Sequence, residues 1–304
     1  MEKSERKWKF SYGWVVVAAG LIITLIVHGI TFSIGVFFKP LLQNFQWSRG
    51  QTSFIWATTW VTFSVLALLV GPLTDRFGAR RTMLIGGCLF SLGILFSSRA
   101  TSLWHLFILF GMLGSVGRVS TITPLVVTVA RWFEKRQGLA LGLAQSMGIG
   151  ALIISPLAAW LVTNSGWQQA FLVLGVLSLI TIVPLTFFIR EPQTSAPKVP
   201  RERRVSDPSQ DLHLREALRT RTYWSLKLMV LGCCICHSFL LLHLVNYLTD
   251  KGLTISRAAM LFGILGVAST VGKIANGLGA DRYGAKPVIA GFLMVQGLGV
   301  LLFL

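Results

Sequence analysis

Charge is scarce in this chain, and negative charge is scarcer still. Of 304 residues, 13% are Asp, Glu, Lys or Arg and 53% are hydrophobic, whereas soluble domains carry about 25% charged residues. A water-soluble globular fold is excluded on that ground. All eleven acids fall in expected loops or at the ends of apolar runs. No carboxylate therefore lies deep in a run, which removes the buried Asp or Glu that intramembrane proton relays often use. Cysteine is rare too. Cys88, Cys233, Cys234 and Cys236 all sit inside apolar runs, which argues against a disulfide framework. Cys233 and His237 stand one helical turn apart, a spacing open to a shared metal or to small apolar filler. No G-x-x-x-x-G-K-[ST] phosphate loop occurs, and no nucleophile–base pair or metal set shares a face. The chain reads as a non-enzyme without a cofactor.

Long apolar runs are what the sequence does have. Nine are expected, at roughly 13–38, 51–71, 82–98, 103–130, 138–162, 167–189, 223–248, 257–279 and 286–304. Most approach or exceed the roughly 20 residues that cross a ~30 Å hydrocarbon core. The first follows a basic leader and lacks the small-residue exit of a cleaved signal peptide. The expectation is an all-α polytopic membrane protein with the lipid bilayer as its solvent. It divides into a leader (1–12), a six-helix bundle (13–189), a linker (190–222) and part of a second bundle (223–304). The linker holds Pro192, Pro197, Pro200 and Pro208 and ends in Leu212 to Arg219, which has the amphipathic spacing of a surface helix.

The net charge of +17 would suit nucleic acid, but its distribution points elsewhere. Of 28 Lys and Arg, 20 lie in the leader, the linker and every second loop, and five lie in the alternate loops. The remaining three, Arg118, Lys227 and Lys273, are within runs. Such a bias places the N-terminus and linker in the cytoplasm, here of a multi-pass cell (inner) membrane protein with no nucleic-acid partner.

One charged turn occurs twice. Gly71-Pro72-Leu73-Thr74-Asp75-Arg76-Phe77-Gly78-Ala79-Arg80-Arg81 lies between the second and third runs, and Gly277-Leu278-Gly279-Ala280-Asp281-Arg282-Tyr283-Gly284-Ala285-Lys286 lies between the eighth and ninth. A repeat at that distance suggests two halves built from one template. The pattern G-x-L-x-D-R-x-G-x-R-R resembles the signature loop of the major facilitator superfamily. The resemblance implies a fold of twelve spans in two six-span halves, of which about nine are present, so a fragment or a truncated product is expected. It also implies that Asp75, Arg76, Gly78, Arg80 and Arg81, with Asp281, Arg282 and Gly284, latch one half against the other. By the family's two-fold logic Asp281 faces the fifth span and Asp75 an eleventh, leaving one latch without a partner here. Positive-inside anchoring alone is the other reading of the basic residues.

A second segment, Arg131-Trp132-Phe133-Glu134-Lys135-Arg136-Gln137-Gly138-Leu139-Ala140-Leu141-Gly142-Leu143-Ala144, is similar to the loop-to-fifth-span signature of monocarboxylate porters. Tyr12-Gly13-Trp14 and Val36-Phe37-Phe38-Lys39 fit the same group. The acidic start of that group's first span is absent, since Lys9-Phe10-Ser11 stands there. In this respect the chain resembles the bacterial branch related to oxalate/formate antiporters.

The buried cations carry the chemistry. Lys273 lies deep in the eighth run, where an unpaired charge costs roughly 3 kcal/mol on insertion scales and so faces a wet cavity or a partner. The resemblance gives a cation at this position the task of holding a substrate carboxylate; snorkelling toward the surface is the other reading. Arg118 lies near the middle of the fourth run on a small or polar face of Gly111, Gly114, Ser115 and Thr121. It reads either as cavity-facing or as a structural interhelical bond. His28, at mid-depth in the first run, reads as a core histidine or as a substrate or proton-relay group. Asn246 and Tyr247 are candidates for bonding a substrate hydroxyl, and Tyr also anchors membrane interfaces. Gln145 is a further candidate in the fifth run, while His237 and His243 read as packing.

Together these features lead to a secondary transporter moving a small carboxylate anion by alternating access, with a co-transported proton or an exchanged anion. The alternatives are an exporter of other small organic compounds, with Arg118 structural, or a truncated non-transporting membrane protein.

Overall fold

The computed structural model describes residues 12–133, 137–192 and 220–303, without the side chains of 222, 226–227, 230–231, 233–242, 285, 300 and 302–303. The leader before Tyr12, residues 134–136 of the second motif, the segment 212–219, Lys227 and the Cys233–His237 pair lie outside that description.

Among the described residues every regular element is helical. Helix α1 (Tyr12–Phe32) passes through Ser33 into α2 (Ile34–Phe45), making one span with a break. At that break Ser33 Oγ donates to Gly29 O at 2.7 Å and lies 3.1 Å from Ser155 Oγ, so the irregular turn is satisfied internally. Helix α3 (Arg49–Phe77) opens on a capping box, in which Ser48 Oγ accepts from Gln51 N and Gln51 Oε1 accepts from Ser48 N. There follow α4 (Ala79–Ser97), the short α5 (Leu103–Leu106), a π-helical turn over Phe107–Leu113, α6 (Gly114–Trp132) and α7 (Gln137–Ala144). Helix α8 (Met147–Thr186) breaks at Gly166 (φ 82°, ψ 165°) into two spans. Helices α9 (Arg221–Asp250), α10 (Ile255–Tyr283) and α11 (Ala285–Phe303) complete the chain.

Six of these helical stretches are long and apolar enough to cross a membrane, from Tyr12–Phe45 to Ile255–Tyr283, and the stretch Gln137–Thr186 contains the break at Gly166. The protein is multi-pass and all-α. Helix α1 packs on α8, α4 on α6 and α8, and α8 on α10. Fully buried Phe37 stacks on Phe171 at 4.2 Å, fixing α2 to the second part of α8. Val61, Val65, Leu68 and Leu69 of α3 are exposed, as residues whose solvent is lipid can be.

The repeated charged turn differs from the loop expected from the sequence. Helix α3 continues through Pro72 as far as Phe77, and α4 begins at Ala79, so Gly78 (φ 82°, ψ 151°) is the one residue between them. In the second copy α10 runs to Tyr283 and α11 starts at Ala285, with Gly284 at φ 87°, ψ 155°. The same bond closes both turns: Gly78 N donates to Thr74 O at 2.8 Å, and Gly284 N to Ala280 O at 3.1 Å. A one-residue reversal at positive φ strains any side chain, so glycine stands in both copies. Asp75, Arg76, Asp281 and Arg282 consequently project from rigid last turns of helices.

Candidate functional site

Three of the sequence-predicted polar groups come together. His28 is buried on α1, with Nδ1 3.3 Å from Thr24 O and its ring 5.5 Å from Phe32. It lies within electrostatic reach of both Arg118 on α6 and Lys273 on α10. Helices α1, α6 and α10 thus bring one imidazole and two cations to a common region.

Arg118 is 2% exposed. Its guanidinium lies 4.8 Å from the Trp60 ring centroid and 4.6 Å from that of Phe63, against the corner formed by these two rings, which meet edge-to-face one turn apart on α3. The π-electron faces attract the cation, yet they satisfy none of its N–H groups. Nη2 reaches Thr59 O only at 3.5 Å, and Nε has no hydrogen-bond partner. Lys273 is half-buried and makes no hydrogen bond or ion pair among the described residues. No Asp or Glu among them is buried. Hence the positive charge at mid-depth is not neutralised by any described side chain.

Lys273 is held in place by the crossing of α7 and the first part of α8 over α10. The two strands of this contact run antiparallel, with Gly138 against Gly277, Gly142 against Lys273 and Ile274, Gly148 against Gly266, and Leu152 against Gly263. Side-chain-free positions let the backbones touch. A Cβ on Gly138 would stand 2.6 Å from Gly277 O, and one on Gly148 would overlap Gly266 O. The sequence reading did not find this contact, nor the packing of Arg118 on Trp60 and Phe63. Its signal, glycines at 138, 142 and 148 against glycines at 277, 266 and 263, is visible only once the antiparallel pairing is known.

The remaining candidates lie elsewhere. Asn246 is buried, whereas its neighbour Tyr247 is half-exposed and lies beneath the Lys251 ammonium at 5.7 Å, so the two do not share a face. At that end of the bundle Asp250 pairs with Lys39 at 2.7 Å and with Arg49 at 3.5 Å, joining α2, α3 and α9. At the opposite end Asp281 accepts from Gly138 N at 3.3 Å, at the start of α7. A carboxylate there meets both a free amide and the positive helix terminus.

Asp75 was expected to face an eleventh span; within its own half it meets Arg131 at 3.5 Å. Arg131 also reaches Glu191 at 3.7 Å, and Glu191 Oε1 accepts from Ala79 N at 2.7 Å, capping α4. Glu191 was not singled out from the sequence. Arg80 lies over Phe187 at 4.9 Å, Arg76 and Arg282 lie over the adjacent Phe77 and Tyr283, and Arg81 is exposed.

The whole-chain comparisons agree with this architecture. Residues 20–304 match the family model of the Major Facilitator Superfamily. The chain is 31% identical over 270 residues to monocarboxylate transporter 13 of Bos taurus, covering 88% of this chain and 61% of that protein. It is 29% identical over 295 residues to monocarboxylate transporter 11 of Mus musculus, covering 95% and 64%. It spans just over three fifths of the length of these relatives. Among solved structures it superposes on a bacterial homologue of the human lysosomal transporter Spinster, in an inward-facing and occupied conformation. That match has a TM-score of 0.68 at 17% identity and covers 91% of this chain and 63% of that one. Helical spans, repeated Asp-Arg-x-Gly turns and a family match over most of its length together make the chain a member of the major facilitator superfamily.

Proposed function

We propose that this protein is a secondary transporter that carries a small carboxylate anion across the membrane by alternating access. One observation carries the reading: Arg118 is buried and Lys273 half-buried within their helices, and no described carboxylate neutralises them. A cation taken out of water without a counter-charge is costly, and an anionic substrate supplies that charge while bound. The similarity to monocarboxylate transporters supports a carboxylate over other anions. Lys273 offers a point charge to the carboxylate. Arg118 packs against Trp60 and Phe63 and keeps a buried Nε without a hydrogen-bond partner.

In this reading the N-terminus and linker face the cytoplasm, and the division near 190–222 separates two rocking halves. The Asp281–Gly138 contact, with Arg282 and Gly284 behind it, latches the cytoplasmic end. Asp75, Arg76, Gly78, Arg80 and Arg81 form the corresponding half of the repeat. Coupling is to an exchanged anion or to a proton carried by His28, and no described acid is buried. The test is uptake of a labelled short-chain carboxylate into proteoliposomes. Wild type is expected to accumulate label against preloaded unlabelled anion, and Lys273→Ala to lose uptake while still inserting. Wild-type anion affinity in Lys273→Ala would sink the carboxylate clamp.

A further inference from the structure

Two arginines at the Asp75 end of the bundle are left over from the ion pairs described above. Arg131 takes both nearby carboxylates, Asp75 at 3.5 Å and Glu191 at 3.7 Å, and Glu191 also accepts from Ala79 N. Arg80 and Arg81, in the first turn of α4, are exposed and pair with no acid among the described residues. Arg80 lies instead 4.9 Å from the ring centroid of Phe187, an exposed aromatic at the end of α8. Two cations thus stand at a helix N-terminus, the end whose own partial charge is positive, beside an apolar ring on the lipid-facing surface. An anion at that level stabilises both.

An exposed apolar path leads away from them. Helix α4 and the second part of α8 pack antiparallel, with Gly87 against Ile182 and Gly175 against Leu95. On α4, Ile85 is one turn and Leu92 three turns beyond Arg81, on the same face. On α8, Ile180 and Val176 precede Phe187 by seven and eleven residues, again on one face. All four are exposed. At 1.5 Å per residue Leu92 lies about 16 Å from Arg81, close to the depth of one leaflet of a ~30 Å hydrocarbon core.

We infer that the groove between α4 and α8 binds an anionic phospholipid, with its phosphate on Arg80 and Arg81 and an acyl chain along Ile85, Leu92 and Ile180. Basic pockets between spans hold anionic head groups, and each arginine near an anionic lipid surface contributes roughly fivefold in affinity. Guanidinium groups also meet phosphate oxygens in pairs of parallel hydrogen bonds. A zwitterionic head group carries its own ammonium beside the phosphate and gains less from the two arginines. The site lies on the outer surface of the bundle at its charged end, so it does not depend on the carboxylate reading of Lys273.

The experiment counts lipids bound to the purified protein by native mass spectrometry, during titration with phosphatidylglycerol or phosphatidylcholine of the same acyl chains. Wild type is expected to prefer phosphatidylglycerol about 25-fold, two arginines at roughly fivefold each. Arg80→Gln/Arg81→Gln is expected to bring that preference close to unity, and Arg80→Lys/Arg81→Lys to keep it. Both side chains are exposed, so neither change disturbs the core. Arg282→Gln/Lys286→Gln removes the same charge from the second copy of the turn and is expected to leave the preference unchanged. Equal losses in the two glutamine pairs would mean diffuse attraction to a basic end and would overturn the site, as would a wild type without preference. Free glycerol phosphate, the soluble head group, is expected not to displace the bound lipid; displacement would make this a site for soluble phosphate esters and overturn the lipid assignment.

Discussion

The close contact at the start of α7 sets up a sharp comparison between two glycine substitutions on one helix. A Cβ at Gly138 would stand 2.6 Å from Gly277 O and 2.8 Å from Asp281 Oδ1. A Cβ at Gly142, one turn further on, would stand 3.4 Å from Lys273 O, an ordinary contact. To accept Gly138→Ala, α10 must recede by about 0.8 Å, the difference between 2.6 Å and 3.4 Å. The blocking atom is a backbone carbonyl and cannot swing aside. Overpacking of that kind costs about 1–3 kcal/mol. Each substitution also gains helix propensity of up to about 1 kcal/mol, and that gain largely cancels between them. The contrast between the two is therefore about 1–3 kcal/mol, with Gly138→Ala the less stable. Thermal melting of the purified protein in detergent reads it as a difference of about 2–4 °C per kcal/mol, on the scale of soluble domains. Equal melting temperatures for Gly138→Ala and Gly142→Ala would refute the close approach of α7 and α10.

Two further outcomes follow from the helix ends. Asp75→Asn is expected to slow transport more than it weakens binding, because the charge it removes lies at a helix end far from the anion site; unchanged kinetics would reduce the turn to a topological anchor. The Lys39 ammonium bonded to Asp250, with Arg49 beside it, holds the Asp250 carboxyl below the usual carboxylate range. A lowered carboxyl contributes stability at neutral pH and loses it only as pH falls through that lowered value. The melting-temperature difference between wild type and Asp250→Asn should accordingly be flat from neutral pH to the carboxylate range and shrink below it. A difference that grows on acidification would contradict the pairing.

How much was legible in advance varies with the kind of signal. The spans were readable because lipid demands long apolar runs whose backbone groups bond internally, and the helix boundaries shifted mainly where helices continue past the apolar stretch. The stretch 71–81 illustrates this. Its charges and glycines read as a loop, yet only Gly78 leaves the helix, because one positive-φ residue suffices to reverse the chain. Arg118 was singled out from the small residues on its face, but its aromatic neighbours on α3 were not, since the register between two helices is absent from either one alone. The π-helical turn over Phe107–Leu113, which shifts that register just before Arg118, has no sequence signal that was read.

By itself the sequence determined the class of the protein: apolar runs separated by basic loops can only be threaded through a membrane, and the repeated Asp-Arg-x-Gly turn marks its family. Local composition and spacing carry that information, since each span satisfies its own backbone. Only the tertiary structure decided which distant residues meet. Gly138 lies against Gly277, and Arg118 against Trp60 and Phe63. Those meetings depend on the crossing and register of helices far apart in the chain, which are set by packing and not by any one helix's own pattern.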